Sequence, residues 1–353
     1  MKKIISILLL LTLLLTGCQL DTPPSATAAT AAPAADGETL TVHFIDVGQA
    51  DCALLECGGE YMLIDGGNKE DGQLVISYLE SCGVEELKTV VCTHAHEDHV
   101  GGLPSVLAVY PTQTVYSPTK TYSSGVYDDF MYYVDQQGLE VTIPSPGDEF
   151  TLGGAEITVL GPVESYAETN DTSIVLKVEY GTTAFLFTGD METAAENDLL
   201  DYWEGNMDWN VDVLKVGHHG SNTSSGYRFV YETDPEYAVI SVGEDNSYGH
   251  PHEEIVSRYN DAGVPMFRTD ELGTILAVSD GSTVSITWDD QSAQPDAVEP
   301  AEPIATIFIG NRNSKKFHSP DCSSLPKEEN RVTFDSYDAA VEAGYTPCGS
   351  CLG

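Results

Sequence analysis

The chain reads as an α/β protein in two parts: a large mixed domain over residues 39–290 and a small tail over 304–353. Three observations predict this. Short β-branched runs alternate with stretches of helical apolar spacing, and several end at glycine or aspartate. Residues 291–303, rich in Pro, Ala and acid without periodicity, read as a linker. The tail of about 50 residues is small for an unaided core but carries two pairs of zinc-type ligands.

The elements follow in order. Thr41 to Asp46 is a β-branched run that ends at Gly48. Ala53–Cys57 and Tyr61–Ile64 flank Gly58-Gly59, a hairpin signal. Leu74 to Leu79 has helical spacing and stops at Cys82-Gly83. Thr89 to Cys92 reads as a short buried strand. Phe185 to Phe187 runs into Thr188-Gly189-Asp190, Val211 to Val216 ends at Gly217, and Tyr237 to Val242 is a further strand. Strands with intervening helices indicate a mixed α/β domain, and no solenoid repeat is visible.

The 353 residues hold 15 Lys+Arg against 56 Asp+Glu, a net charge of -41. At 41% hydrophobic the chain can build a sizeable core, which excludes wholesale disorder. The acidity argues against broad attachment to nucleic acid or anionic lipid, which need a basic face. A nucleic-acid substrate held by metal ions stays open. The only long apolar run is N-terminal, so a multi-span membrane protein is excluded and no transmembrane channel segment is visible.

That N-terminal run is a targeting device. Lys2 and Lys3 precede an apolar stretch from Ile4 to Leu15, the pattern of a secretory signal over residues 1–17. Leu15-Thr16-Gly17-Cys18 resembles a bacterial lipobox, which implies lipid attachment to Cys18; an ordinary cleaved signal is the alternative. Two or more acyl chains suffice for stable membrane anchoring. Residues 18–38, rich in Ala, Thr and Pro, read as a flexible tether. The expectation is an extracytoplasmic lipoprotein.

The strongest chemical signal is Thr93-His94-Ala95-His96-Glu97-Asp98-His99, three imidazoles and a carboxylate in a loop after a strand. Neutral imidazole and carboxylate suit zinc, manganese or iron. His94 and His96 can face one ion while Asp98 and His99 face a second.

Here the sequence resembles the metallo-β-lactamase fold superfamily, with its His-x-His-x-Asp-His signature. The resemblance covers residues 39–290 and implies an αββα sandwich, followed by the zinc-stapled tail. Within the superfamily, Phe44 to Asp51, Asn170 to Leu176, Leu214 to Ser221 and Gly249-His250-Pro251 resemble the hydrolase domain of ComEC-type competence proteins and the related phosphorylcholine esterases. By resemblance Asp190 bridges two metals and His250 is the last histidine ligand. The superfamily's usual third histidine is missing, with Asn170 and Asp171 in its region. His218 is the candidate replacement and His219 the rival; His219 then faces substrate as a catalytic group. Asp46 and Asp65 are expected to orient neighbours, Asn170 to hold a loop, His43 to pack in its strand and His252 to lie at the surface.

Two divalent ions, zinc or manganese, would lower the pKa of bound water toward neutrality. His219 could steady developing negative charge, and Asp98 or Asp190 could accept a proton. The reading is hydrolysis of a phosphodiester or phosphate ester, DNA among the candidates. A β-lactam hydrolase, and a surface protein that binds nucleic acid or wall polymer through an inactive enzyme domain, are the alternatives.

In the tail, His318-x3-Cys322 and Cys348-x2-Cys351 can close one tetrahedral zinc site. Phe317-His318, Pro320-Asp321-Cys322 and Gly344 to Cys348 resemble the Ada-type zinc-binding domain, with His318 where that family has a cysteine. The departure puts alkyl-accepting chemistry in doubt. A disulfide is the competing reading outside the cytoplasm, and it would leave one tail cysteine over. Arg312, Lys315 and Lys316 form a solvated face or touch phosphates. Cys52, Cys57, Cys82 and Cys92 are either disulfides or buried thiols, and sequence does not choose.

Overall fold

The computed structural model describes residues 38–289, 308–319, 322, 324–334, 337–349 and 351–352. The signal segment, Cys18, residues 18–37 of the tether and the linker at 291–303 lie outside the described residues.

The large domain runs β1 (Leu40–Phe44), β2 (Ala53–Cys57), β3 (Glu60–Ile64), α1 (Gly72–Ser81), β4 (Leu87–Val91), α2 (Glu97–Val100), α3 (Leu103–Val109), β5 (Thr112–Tyr116), α4 (Gly125–Gln136), β6 (Val141–Thr142), β7 (Glu149–Leu152), β8 (Ala155–Gly161), β9 (Val175–Tyr180) and β10 (Thr183–Phe187). It continues with α5 (Thr193–Tyr202), β11 (Val213–Lys215), α6 (Tyr227–Thr233), β12 (Tyr237–Ile240), α7 (Glu253–Asp261), β13 (Met266–Arg268), α8 (Thr269–Leu272), β14 (Ile275–Ser279) and β15 (Val284–Trp288). One sheet has the order β15-β14-β1-β2-β3-β4-β5-β6 and the other β13-β12-β11-β10-β9-β8-β7.

Strand periodicity of two makes both faces of each sheet apolar. In β1, Leu40, Val42 and Phe44 point between the sheets, where they meet Ile157, Val178, Phe185 and Phe187 of the second sheet. Leu54, Leu63 and Val90 point the other way, onto Val75 and Leu79 of α1, Leu103 and Val106 of α3 and Phe130 of α4. In the second sheet Ala184, Leu186 and Leu214 pack against Leu199 of α5, Phe229 of α6 and Ile255 and Tyr259 of α7. The result is the expected αββα sandwich. The Gly58-Gly59 hairpin and the helix stop at Cys82-Gly83 form as their sequences predict.

In the tail, β16 (Phe308–Asn311), β17 (Lys316–His318), β18 (Arg331–Phe334) and β19 (Thr346–Pro347) form a sheet ordered β18-β16-β17-β19, beside α9 (Tyr337–Glu342). Its core is small: Phe308, Phe317, Tyr337, Ala340, Tyr345 and Leu352. Among the described residues no helix is long and apolar enough to cross a membrane.

Phe185 is fully buried between the two sheets. Phe185→Ala is expected to cost about 3–5 kcal/mol of stability, read as a lowered urea midpoint at unchanged slope. A loss under about 1 kcal/mol would contradict this packing.

Candidate metal centres

The candidate site is built at the carboxyl ends of strands from both sheets, where parallel α/β sheets leave a crevice between loops. The turn after β3 supplies Asp65, the loop after β4 His94 to His99, the turn after β10 Asp190, the loop after β11 His218 and His219, and the loop after β12 His250. β3 and β4 are parallel neighbours, as are β10, β11 and β12, so these ends lie side by side. The backbone N–H of Ile174 donates to the Thr93 carbonyl at 2.9 Å and ties the sheets together beside the site.

Asp190 is the centre of the cluster. Its Oδ2 lies 3.2 Å from His99 Nε2 and 3.8 Å from Nε2 of both His94 and His218; its Oδ1 lies 3.7 Å from His219 Nε2. Asp98 Oδ2 is 3.5 Å from the same His219 nitrogen. Asp98, His99, Asp190 and His219 can present one ligand atom each within 4.8 Å of one another. His94 Nε2 and His96 Nδ1 are 3.1 Å apart.

Neighbouring groups orient these ligands. His99 Nδ1–H donates to Asp65 Oδ2 at 2.8 Å, and Asp65 accepts from the Thr93 backbone and hydroxyl at 2.7 and 2.6 Å. His219 Nδ1–H donates to the Ser241 carbonyl at 2.9 Å and faces Asp51 Oδ1 at 3.2 Å. Asp51 is in turn paired with Lys215 Nζ at 2.9 Å, both buried. With Nδ1–H engaged, each ring turns the lone pair of Nε2 inward, the arrangement typical of metal-ligating histidine.

The fit to a cation rests on orphaned atoms. His99 Nε2, His219 Nε2 and Asp190 Oδ1 are buried and make no hydrogen bond, a state that native proteins rarely leave uncompensated. A divalent cation would satisfy all three. Burial pushes His94 well below its ordinary pKa. At His99 and His219 burial acts the same way, but nearby carboxylates, Asp190 foremost, outweigh it; His219 is pushed up to about 10. Burial also opposes charge on Asp190, yet His99 and His219 hold its carboxyl well below the usual range. Protons on these imidazoles answer the same carboxylates that a cation would answer, so metal binding should release them.

The backbone takes uncommon conformations here. Asp65, His218 and His219 adopt φ of 58°, 50° and 52°, in the left-handed region that costs non-glycine residues about 1–3 kcal/mol each. Gly189 has φ 52°, and a Cβ there would meet Ser173 Oγ at 2.8 Å. Gly220, at φ 80°, would meet Pro251 at 2.6 Å.

The other expected residues are spread around this centre. His218 is partly exposed, with Nδ1 3.0 Å from Thr223 Oγ1 and 3.5 Å from Glu192. His250 stands at the rim, its ring 5.7 Å from His218 and 6.4 Å from His219, centroid to centroid. Asn170 bonds Glu192 at 3.1 Å across two loops. Asp46 accepts from Gly48 N in its own turn, and His43 meets the Tyr78 hydroxyl at 2.9 Å, away from the cluster. His252 Nδ1 accepts from Asn222 N at 3.0 Å. Cys52, Cys57, Cys82 and Cys92 are free thiols. Asp51, Lys215, Ser241 and Glu192 escaped the sequence reading as supporting groups. Only the buried charge of Lys215, inside an otherwise apolar strand, was a legible signal.

In the tail, His318, Cys322, Cys348 and Cys351 converge with one ligand atom each within 4.8 Å. Parallel pairing of β17 with β19 brings the two halves together, and Cys348 N donates to the Phe317 carbonyl at 2.9 Å. None of the three cysteines forms a disulfide, and three thiols with one imidazole are a zinc donor set.

The Metallo-beta-lactamase superfamily profile matches residues 45–244, and that of the metal binding domain of Ada matches residues 299–352. ComE operon protein 3 of Bacillus subtilis is 29% identical over 204 residues, which cover 58% of this chain and 26% of that protein. Competence protein ComA of Neisseria gonorrhoeae is 32% identical over 232 residues, 65% of this chain and 31% of that one. The chain thus spans about a quarter to a third of the length of these relatives. The solved metallo-beta-lactamase fold protein YhfI from Bacillus subtilis aligns over 71% of this chain and 100% of its own, with TM-score 0.46 and 13% identity.

Two outcomes are expected. Asp65→Ala should weaken divalent-cation binding by the large domain about 10–100-fold in a manganese titration, because His99 loses its orienting partner. Wild-type affinity would remove Asp65 from that role. Cys348→Ser should lose one zinc per chain by elemental analysis; an unchanged zinc content would exclude the tail cluster as the site.

Proposed function

Because this chain belongs to the metallo-beta-lactamase superfamily, we propose that it is a dinuclear metallo-hydrolase of phosphodiester or phosphate-ester bonds. We propose further that it works outside the cytoplasm, anchored through a lipid on Cys18. The observation that carries the enzymatic reading is the ring of buried, unbonded ligand atoms around Asp190. Two relatives are named as competence proteins or by the ComE operon, which favours a phosphodiester such as extracellular DNA. The signal-like N-terminus and the Leu15-Thr16-Gly17-Cys18 tetrad support the anchor.

His94, His96, Asp98, His99, Asp190 and His219 would hold the two cations, manganese or zinc. Bound there, the cations would lower the pKa of a water molecule and offset phosphate charge. This exchanges the roles expected for the paired histidines. His219 is buried and aimed at Asp98 and Asp190, whereas His218 is partly exposed. His218 and His250, expected as ligands, would instead orient a phosphate from the rim. Asp98, with a third of its side chain exposed, would accept a proton from the reacting water. Asp65, Ser241 and the Lys215-Asp51 pair keep the imidazoles oriented. The tail cluster would hold one structural zinc.

The test is hydrolysis of bis(p-nitrophenyl) phosphate and of linear DNA by the manganese- or zinc-loaded protein, beside His96→Ala. Wild type should turn over at least one of them, and His96→Ala should lose on the order of 10³-fold in kcat/KM. No turnover by metal-replete wild type, or no loss in the variant, would refute phosphodiester hydrolysis. Turnover of nitrocefin alone would favour β-lactam hydrolysis.

A further inference from the structure

The loop that carries His218 and His219 ends where the small C-terminal domain sits. After Gly220 the chain passes Ser221 to Gly226 and enters α6 at Tyr227. This end of the loop is held by buried groups. Glu196 accepts the backbone N–H of Ser225 at 2.6 Å and of Gly226 at 2.8 Å through its two oxygens. Arg258 Nη1 donates to the Ser225 carbonyl, and the Tyr259 hydroxyl meets Ser225 Oγ at 3.1 Å. Ser224 Oγ donates to the Met191 carbonyl at 2.8 Å, one residue from Asp190. Ser225 itself is in the left-handed region, at φ 56°, so this end of the loop depends on those contacts.

The same Arg258 stacks over the ring of Tyr227, 4.2 Å from its centroid. Its aromatic partners among the described residues come from the C-terminal domain. Phe308 meets it edge-on at 5.7 Å, and Tyr337 lies parallel to it at 6.4 Å. Tyr337 also contacts Tyr231 of α6 at 4.9 Å and Phe317 at 4.9 Å. Phe317 precedes the cluster residue His318, and its carbonyl accepts from Cys348 N at 2.9 Å. An unbroken series of contacts therefore runs from the tail cluster through Phe317, Tyr337, Tyr227 and Arg258 to Ser225.

We propose that the C-terminal domain braces the metal-binding loop: Tyr337, seated on Tyr227, holds Arg258 and Ser225 in the positions from which the His218-His219 segment is presented. Tyr337, Tyr227 and Arg258 are positioning residues, remote from any reacting atom. A domain of this size has little core of its own, so its fold depends on closure of the His318-Cys322-Cys348-Cys351 cluster. Metal in the tail would then strengthen cation binding in the large domain, and by linkage the reverse holds. The inference about cation affinity rests on the proposed metal centre; the brace itself does not.

The experiment uses the full mature chain as wild type, Cys348→Ser, Tyr337→Ala and Tyr337→Phe. Hydrogen–deuterium exchange of the backbone amides from 221 to 226 is read first. Exchange there should quicken about tenfold in Cys348→Ser and Tyr337→Ala, stay at the wild-type rate in Tyr337→Phe, and leave the amides of β10 unchanged. If Tyr337→Ala unfolds the C-terminal domain, shown by loss of its zinc, the same quickening is required. Unchanged exchange in both disruptive variants overturns the brace. A manganese titration is read second, with an expected rise in Kd of about tenfold in the same two variants. If wild type binds no cation in the large domain, the metal-centre reading fails, while the exchange rates still decide the brace.

Discussion

Asp190 puts a carboxylate among four imidazoles at a place where water scarcely reaches, and most of the site is arranged around that fact. An isolated buried charge costs several kcal/mol, so it must be answered by opposite charge or by ligation. No lysine or arginine pairs with Asp190 among the described residues; its ion-pair partners are histidines. Lys215 is turned to Asp51 instead. A site with this surplus of buried carboxylate is built for cations. The chain's net charge of -41 makes such cations all the more necessary if a phosphate is to approach.

The sandwich exists to hold these loops in register. The parallel strands of the two sheets end along one edge; the loop after β4 brings four of the six proposed ligands, and the loops after β10 and β11 bring one each. Turns that place a side chain at so crowded a point take left-handed backbone at Asp65, His218 and His219. The surrounding bonds compensate for that strain: Asp65 to Thr93, and His219 to Ser241. Stability and ligand geometry are therefore set by the same contacts, which is why removal of an orienting partner should be felt at the metal rather than only in the melting temperature.

The C-terminal domain belongs to the same economy of small cores. Its six-residue apolar cluster is completed by Tyr227 from the large domain, so neither the tail nor α6 buries its aromatic face alone. Two candidate metal clusters of unlike chemistry, one of three thiols and an imidazole and one of imidazoles and carboxylates, are thus linked through aromatic rings and Arg258.

Much of this was legible in the residues. The cluster from His94 to His99 identifies the ligand types, because imidazole and carboxylate at such density have few other uses, and the family resemblance added Asp190. Short apolar runs located β2 and β3 around Gly58-Gly59, β10 before Gly189, and β12, and the paired spacings of His318, Cys322, Cys348 and Cys351 marked the tail cluster. Local sequence could not rank His218 against His219: the two are adjacent and identical, and they differ only in what surrounds them. The pairing of Asp51 with Lys215, the capping of Ser225 by Glu196 and the seat of Tyr337 on Tyr227 join residues far apart in the chain. Ligand chemistry is a property of residue types at short spacing, so sequence alone determined it. Burial and orientation depend on which distant strands end side by side, and only the tertiary structure decided those.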